Sequence, residues 1–258
     1  MSMGIWLVRP EAAAVATRLA ALTGGELLGA LPGAPEKSGA KSAFQSIFYS
    51  RKQWILLMAT GIATRYLSGM PENKYTDPGV VVVDEALRFA IPVLGGHEAG
   101  ANTLAYTIAR GTGAIPVLTT ATEALKPAVL GIGCRKGVCP ETIHRAVTRA
   151  LEATPFSIPL IREAATIDRK ASEPGLLAWL ERNGIPLRIF STDQIRERPL
   201  TGTPSPWVRR QLGVAGVCEP CALLASIRGA LVVPKTSLQG VSVAIVADAP
   251  LAAPPLLP

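Results

Sequence analysis

The sequence predicts an α/β protein made of two small α/β domains, each with strands flanked by helices. Short β-branched runs alternate with Ala- and Leu-rich helical stretches, which is the α/β pattern. The 258 residues are 48% apolar and 5% aromatic, enough for one large core or for two domains of about 120 residues. A break falls near Ala124–Pro127: Thr119, Thr120 and Thr122 close one strand, and Val129 opens a new strand-loop-helix unit. The domains are therefore expected at 1–126 and 127–247. A single mixed sheet is the alternative, and no internal repeat stands out.

Gly4–Val8 reads as the first strand and Glu11–Leu22 as the first helix, the apolar run ending at Arg9-Pro10. Leu31–Lys41 carries Pro32, Gly33, Pro35 and Gly39 without periodicity and reads as a surface loop. Strands are expected at Trp54–Ala59, Val80–Val83, Ile91–Leu94 and Ile115–Leu118, with a helix at Gly100–Arg110. The second half should hold strands Val129–Ile132, Ile158–Ile161, Leu187–Phe190, Ala230–Val233 and Val241–Val246. Its helices should be Pro140–Ala153, Gly175–Arg182 and Glu219–Ser226, the first opened by Pro140 and Glu141, which suit a helix start. Residues 248–258 read as a frayed tail.

Charge narrows the partners. The chain has 26 Lys+Arg against 19 Asp+Glu, a net of +7, with 17% of residues charged. Disorder is excluded, since it needs low hydrophobicity with high net charge. Four cysteines are too few for a disulfide scaffold. Met1–Val8 lacks a charged leader region, and Val241–Ala247 is too short for a bilayer span. The expected location is the cytoplasm, with free thiols and no membrane association. The basic excess suits an anionic ligand, nucleic acid or an acidic surface. Scattered basic residues and scarce aromatics argue against nucleic acid.

Four polar clusters follow strands: 60–65, 95–102, 119–122 and 131–137. In open α/β sheets ligands bind beyond the carboxyl ends of strands, so the four loops make a candidate rim. Ordinary strand-to-helix turns are the plain alternative. The stretch Gly131–Gly137 is GxGxxxG, not GxGxxG, and no acidic residue follows at the ribose-binding distance, so a dinucleotide is not expected. Arg135 and Lys136 precede a helix start, where cations and backbone N–H groups converge on an anion; a solvated basic turn is the alternative. His97 lies among glycines, with Glu98 beside it to tune or orient it. Imidazole is a general base near neutral pH, and glycine N–H groups can hold an oxyanion. A helix-capping role is the alternative. His144, inside a predicted helix, reads as a packing or surface residue. No GxSxG elbow is present. Cys134, Cys139, Cys218 and Cys221 could hold zinc or form a redox pair, but cations flank the first pair and cysteine is often merely a small buried residue. No metal site is assigned.

Residues 54–123 resemble the N-terminal domain of the CbiG family of cobalamin biosynthesis. The resemblance rests on Ala59–Arg65, Lys74–Glu85, Gly96-His97 with Gly100-Ala101-Asn102, and Thr119–Thr122. Residues 129–247 are similar to the family's C-terminal domain, shared with CobE proteins, through Gly131–Gly137, Ile167–Glu173, Gly213-Val214 to Glu219, and Pro234-Lys235. The resemblance implies a cofactor-free hydrolase that opens the δ-lactone of cobalt-precorrin-5A and expels acetaldehyde, cobalt being carried by the substrate. A non-catalytic carrier of a tetrapyrrole intermediate is the competing reading.

Under the first reading His97 and Glu98 are catalytic. Thr60, Gly61, Arg65, Gly96, Gly100, Asn102, Thr120, Arg135, Lys136, Lys170 and Glu219 then bind an anionic tetrapyrrole. The oxyanion donors are the N–H groups of Gly95, Gly96 and residues 99–102. Two departures from the family stand out. Ala99 replaces the first glycine of a pair, which would be strained at φ > 0. A middle segment between the domains is missing, and a homodimer is one way to replace the cleft wall it supplies.

Overall fold

The computed structural model describes residues 3–33, 39–197, 210, 214, 216–226 and 228–248. The chain divides into two compact units, Met1–Thr120 and Ala121–Pro258, a few residues earlier than the expected break. Each unit is an α/β sheet with helices on both faces.

Unit one runs β1 (Met3–Leu7), α1 (Ala13–Thr23), β2 (Glu26–Gly29), α2 (Ala40–Ile47), β3 (Gln53–Leu57), α3 (Thr60–Leu67), β4 (Gly79–Val83), β5 (Phe89–Leu94), α4 (Ala101–Thr112) and β6 (Ile115–Pro116). The sheet order is β2-β1-β3-β4-β5-β6. β1 to β4 pair in parallel; β5 runs antiparallel to β4, and β6 follows β5 in parallel. Alternate residues feed two cores. Ile5, Leu7, Ile55, Leu57, Val81 and Val83 face Leu19, Leu104 and Ile108 of α1 and α4. Trp6, Trp54, Leu56, Val80 and Val82 face Phe44, Ala63 and Leu67 of α2 and α3. Coverage on both faces is why β4 is buried along its whole length. Phe44 sits edge-on to Trp6 at 5.3 Å and to Trp54 at 5.0 Å, contacts worth about 0.5–1.5 kcal/mol each beyond their buried area.

Unit two runs α5 (Ala121–Ala124), β7 (Ala128–Cys134), α6 (Pro140–Leu151), β8 (Ile161–Ile167), α7 (Pro174–Arg182), β9 (Leu187–Phe190), α8 (Thr192–Arg196), α9 (Cys218–Ala225), β10 (Gly229–Leu238) and β11 (Val241–Asp248). Its order is β10-β11-β7-β8-β9, with β7, β8 and β9 parallel and β11 antiparallel to both its neighbours. Leu130, Ile132, Ala164 and Ile245 pack on Ile143, Val147, Leu176 and Trp179 of α6 and α7. Val129, Ala165, Ile167 and Val246 pack on Cys221 and Ala222 of α9. α9 lies so close to β7 that a Cβ on Gly131 would sit 1.7 Å from the Cys218 carbonyl oxygen.

Several expectations need correction. Residues 60–65 form most of α3, not a loop; Ala63 and Leu67 are buried, but Gly61 and two threonines weaken the helical pattern. The strand expected at Ile158–Ile161 begins where that range ends, because Ile158–Leu160 is a single 3-10 turn around Pro159. The strand expected at Ile115–Leu118 shortens to two residues. Ala40 and Lys41 open α2 and do not belong to a loop; residues 34–38 of that range lie outside the described residues, as do 249–258 of the expected tail. Asp248 is not tail. It ends β11, donates its N–H to the Pro127 carbonyl at 3.0 Å, and accepts from Arg162 and Ser226.

Candidate functional site

The link from β4 to β5 is residues 84–88, too short for the crossover of a dozen or more residues that parallel strands require. Asp84 closes it: its carboxylate accepts from the N–H groups of Arg88 at 2.8 Å and Phe89 at 2.7 Å. β5 therefore turns back, with Leu94 opposite Val80, and delivers Gly95–Asn102 to the edge where β3 and β4 begin. Gln53, first residue of β3, donates its Nε2 to the Ala99 carbonyl at 2.9 Å. A Cβ on Gly79, first residue of β4, would lie 2.7 Å from the same oxygen.

This overturns the single rim. Thr60, Gly61 and Arg65 follow the carboxyl end of β3, a strand of five residues or roughly 17 Å, and stand at the opposite edge from Gly96, His97, Gly100, Asn102 and Thr120. Arg65 folds back onto the Gly61 carbonyl at 3.2 Å. These three residues share no site with His97 within the unit.

The His97 loop is tightly built. Gly95 (φ 62°) and Gly100 (φ 75°) adopt left-handed conformations. Ala99 does not, so the family's other glycine is replaced without backbone strain. The Gly95 carbonyl accepts from Ala99 N–H at 3.2 Å and Ala101 N–H at 3.1 Å, Gly96 from Asn102 N–H at 2.9 Å, and His97 from Gly100 N–H at 3.3 Å. Buried Asn102 donates its Nδ2 to the Thr120 hydroxyl at 3.1 Å, which ties the loop after β6 to this one. Among the described residues its Oδ1 has no partner, and it lies 3.0 Å from where a Gly96 Cβ would stand.

Those bonds correct the oxyanion assignment: the N–H groups of residues 99–102 are spent inside the loop, and among the described residues the N–H groups of Gly96 and His97 carry no bond. His97 itself is exposed. Among the described residues Glu98 makes its ion pair with Lys74, while His97 lies near enough to act on its charge. The Glu98 carboxylate lies 3.6 Å from Lys74 Nζ, and its own backbone N–H, then Lys74, hold it below the usual carboxylate range.

In unit two Arg135 and Lys136 are exposed at the carboxyl end of β7. Arg135 donates its N–H to the Gly240 carbonyl at 2.9 Å. Glu173, buried and absent from the sequence-based site, organises this end. It accepts the Gly137 N–H at 2.7 Å and pairs with Lys170 Nζ at 3.2 Å. The sequence signal was its place in the Ile167–Glu173 stretch. Glu219 departs from its expected ligand-binding role: it is buried and accepts the Lys235 N–H at 2.9 Å, anchoring α9 to β10. His144 accepts from the buried Trp179 indole at 3.4 Å.

Among the described residues no three metal-binding side chains cluster. Burial pushes Cys134 up to about 11 and Cys218 up to about 12, and raises Cys221 well above the ordinary thiol value. Cys139 is exposed and lowered by the Thr142 hydroxyl and N–H. Because thiolate is the nucleophile, iodoacetamide at pH 8 should label Cys139 first. Mass spectrometry that found Cys218 or Cys221 labelled as fast in native protein would contradict their burial.

Fold and loops together define a two-unit α/β protein with polar strand-end loops, the first carrying an exposed histidine among glycines and the second two exposed cations. The family description "Cobalamin synthesis G N-terminal" matches residues 42–123, and "Cobalamin synthesis G C-terminus" matches residues 128–246. The chain belongs to the CbiG family. A Salmonella typhimurium protein named cobalt-precorrin-5A hydrolase is 24% identical over 341 aligned positions, which cover 95% of this chain and 97% of that one. A Priestia megaterium protein of the same name is 22% identical, over 78% of this chain and 79% of that one. A solved structure of CobE, from the cobalamin pathway, is 28% identical over 47% of this chain and 89% of its own, with a TM-score of 0.43. The 341 aligned positions exceed the 258 residues of this chain, so the Salmonella protein has residues without counterpart here. Only residues 124–127 separate the two family matches. No helix among the described residues is long and apolar enough to cross a membrane.

Proposed function

We propose that this chain hydrolyses cobalt-precorrin-5A, opening its δ-lactone and releasing acetaldehyde to leave cobalt-precorrin-5B. The observation that carries the reading is the match along 95% of this chain and 97% of the Salmonella protein of that name. In the reaction, water adds to the lactone carbonyl carbon and His97 takes a proton from it. The N–H groups of Gly96 and His97 receive the oxyanion. The ring C–O bond breaks, leaving a carboxylate and an alcohol. The alcohol carbon then leaves as acetaldehyde: its O–H proton departs, the C–C bond pair stays on the macrocycle, and the macrocycle takes up a proton. Water is the only co-reactant, and cobalt enters and leaves with the substrate.

The test is acetaldehyde, trapped as it forms from cobalt-precorrin-5A by an NADH-linked reductase. Stoichiometric release is the expected result. The residues this chain lacks against its relative favour one second reading, a carrier that holds the tetrapyrrole without turning it over; tight binding with no acetaldehyde would put that reading in its place.

A further inference from the structure

We infer that Tyr75 and Lys74 form a docking platform for a flat tetrapyrrole ringed by carboxylates, the Tyr75 ring lying under the macrocycle and Lys74 meeting a peripheral carboxylate. The inference rests on the function proposed above and extends it to residues that carry no role there. Tyr75 is 74% exposed, more than any other large hydrophobic side chain described. An aromatic ring so far out in water gains nothing from the core, yet the backbone beneath it is firmly held. Asp77, buried at the foot of the loop, accepts the N–H groups of Glu72 and Asn73 at 3.1 Å each and the Tyr49 hydroxyl at 3.3 Å. Asn73 Oδ1 accepts the Tyr75 N–H at 2.9 Å, and the Asn73 carbonyl accepts the Asp77 N–H at 2.8 Å. A rigid loop that offers a two-torsion aromatic side chain loses little entropy when a flat ligand settles on it.

Lys74 connects this platform to the histidine loop. Its Nζ sits over one face of the Tyr75 ring, 4.8 Å from the centroid, which leaves the opposite face for the ligand, and it lies 3.6 Å from Glu98 Oε1, with the side chain 64% exposed. Glu98 therefore holds the place of a ligand carboxylate, beside His97. A planar molecule with carboxylates on its rim would use the ring face and the ammonium together; a compact anion would use only the ammonium.

Uroporphyrin, a planar porphyrin with carboxylates around its rim, is the probe, titrated by its Soret absorbance. Tyr75→Ser should weaken binding about tenfold, the loss of one aromatic stacking contact, while Tyr75→Phe stays within about twofold of wild type. Lys74→Gln should weaken binding and flatten its salt dependence, and Glu98→Gln should tighten it by freeing Lys74. Unchanged melting temperatures establish that the exposed substitutions leave the fold intact. Wild-type affinity in Tyr75→Ser, an equal loss in Tyr75→Phe, or no uroporphyrin binding by wild type overturns the platform. Absence of acetaldehyde release by wild type, with the binding pattern as expected, overturns the hydrolase reading and leaves the platform standing.

Discussion

His97→Ala should lower acetaldehyde release from cobalt-precorrin-5A by about 100-fold or more, within the 10²–10⁴ range of general acid–base catalysis. The loss should fall on kcat, with KM changed by less than about threefold, because the imidazole acts on the attacking water while the proposed platform holds the macrocycle. The experiment is clean in one respect. The His97 side chain is exposed and takes no part in the bonds that build its loop, which run through backbone and Asn102. Thermal stability should therefore match wild type, separating a chemical loss from a folded-state one. A variant that released acetaldehyde at the wild-type rate would end the assignment of His97 as base.

Gly131→Ala should be among the most damaging single-methyl additions in unit two. The new Cβ would meet the Cys218 carbonyl oxygen at 1.7 Å, and both partners are backbone, so no side chain can swing aside. α9 would have to lift from the sheet, loosening the packing of Val129, Ala165, Ile167 and Val246 beneath it. Ordinary overpacking costs about 1–3 kcal/mol, and this contact should reach or exceed the upper figure. That is a large part of the about 5–15 kcal/mol that keeps a domain folded. Gly133→Ala, two residues along the same strand, supplies the comparison. Its Cβ would find Val217 at 3.7 Å, an ordinary contact, and its denaturation midpoint should barely move. Equal midpoints for the two variants would mean that α9 does not bear on β7 as described.

Much of the fold was legible because its signals were local. Val80–Val83 reads as a strand because a β-branched run covered on both faces has no polar interruption. Helices α4 and α6 declare themselves by apolar periodicity. α3 did not, since Gly61, Thr60 and Thr64 obscure it, and the start of β8 is disguised by Arg162 and Glu163. Those charges pair with each other at 3.2 Å and also find Arg188, 3.5 Å from Glu163, and Asp248, which reaches Arg162, two partners far away in sequence. The site was half legible. The His97 loop, its glycines and Asn102 are visible as a polar cluster after a strand. The error lay in assuming that every strand points the same way. The five-residue link before β5 carried the correction, since only an antiparallel return fits it. The pairing of Asn102 with Thr120 and the arrest of Glu98 by Lys74 depend on tertiary placement and leave no local trace.

β1 lies inside the first sheet, between β2 and β3, although the family match begins only at residue 42. Gly4 packs so closely on Trp54 that a Cβ there would stand 2.3 Å from the indole. The stretch that the N-terminal family description spans is thus smaller than the cooperative unit that folds. Expressed from residue 42 onward, the domain would present β3 as a naked edge, its backbone groups unpaired and the Trp54 indole uncovered. Such an edge recruits other chains, and the expected product is aggregate. For this protein, the borders of that family description are not the places to cut.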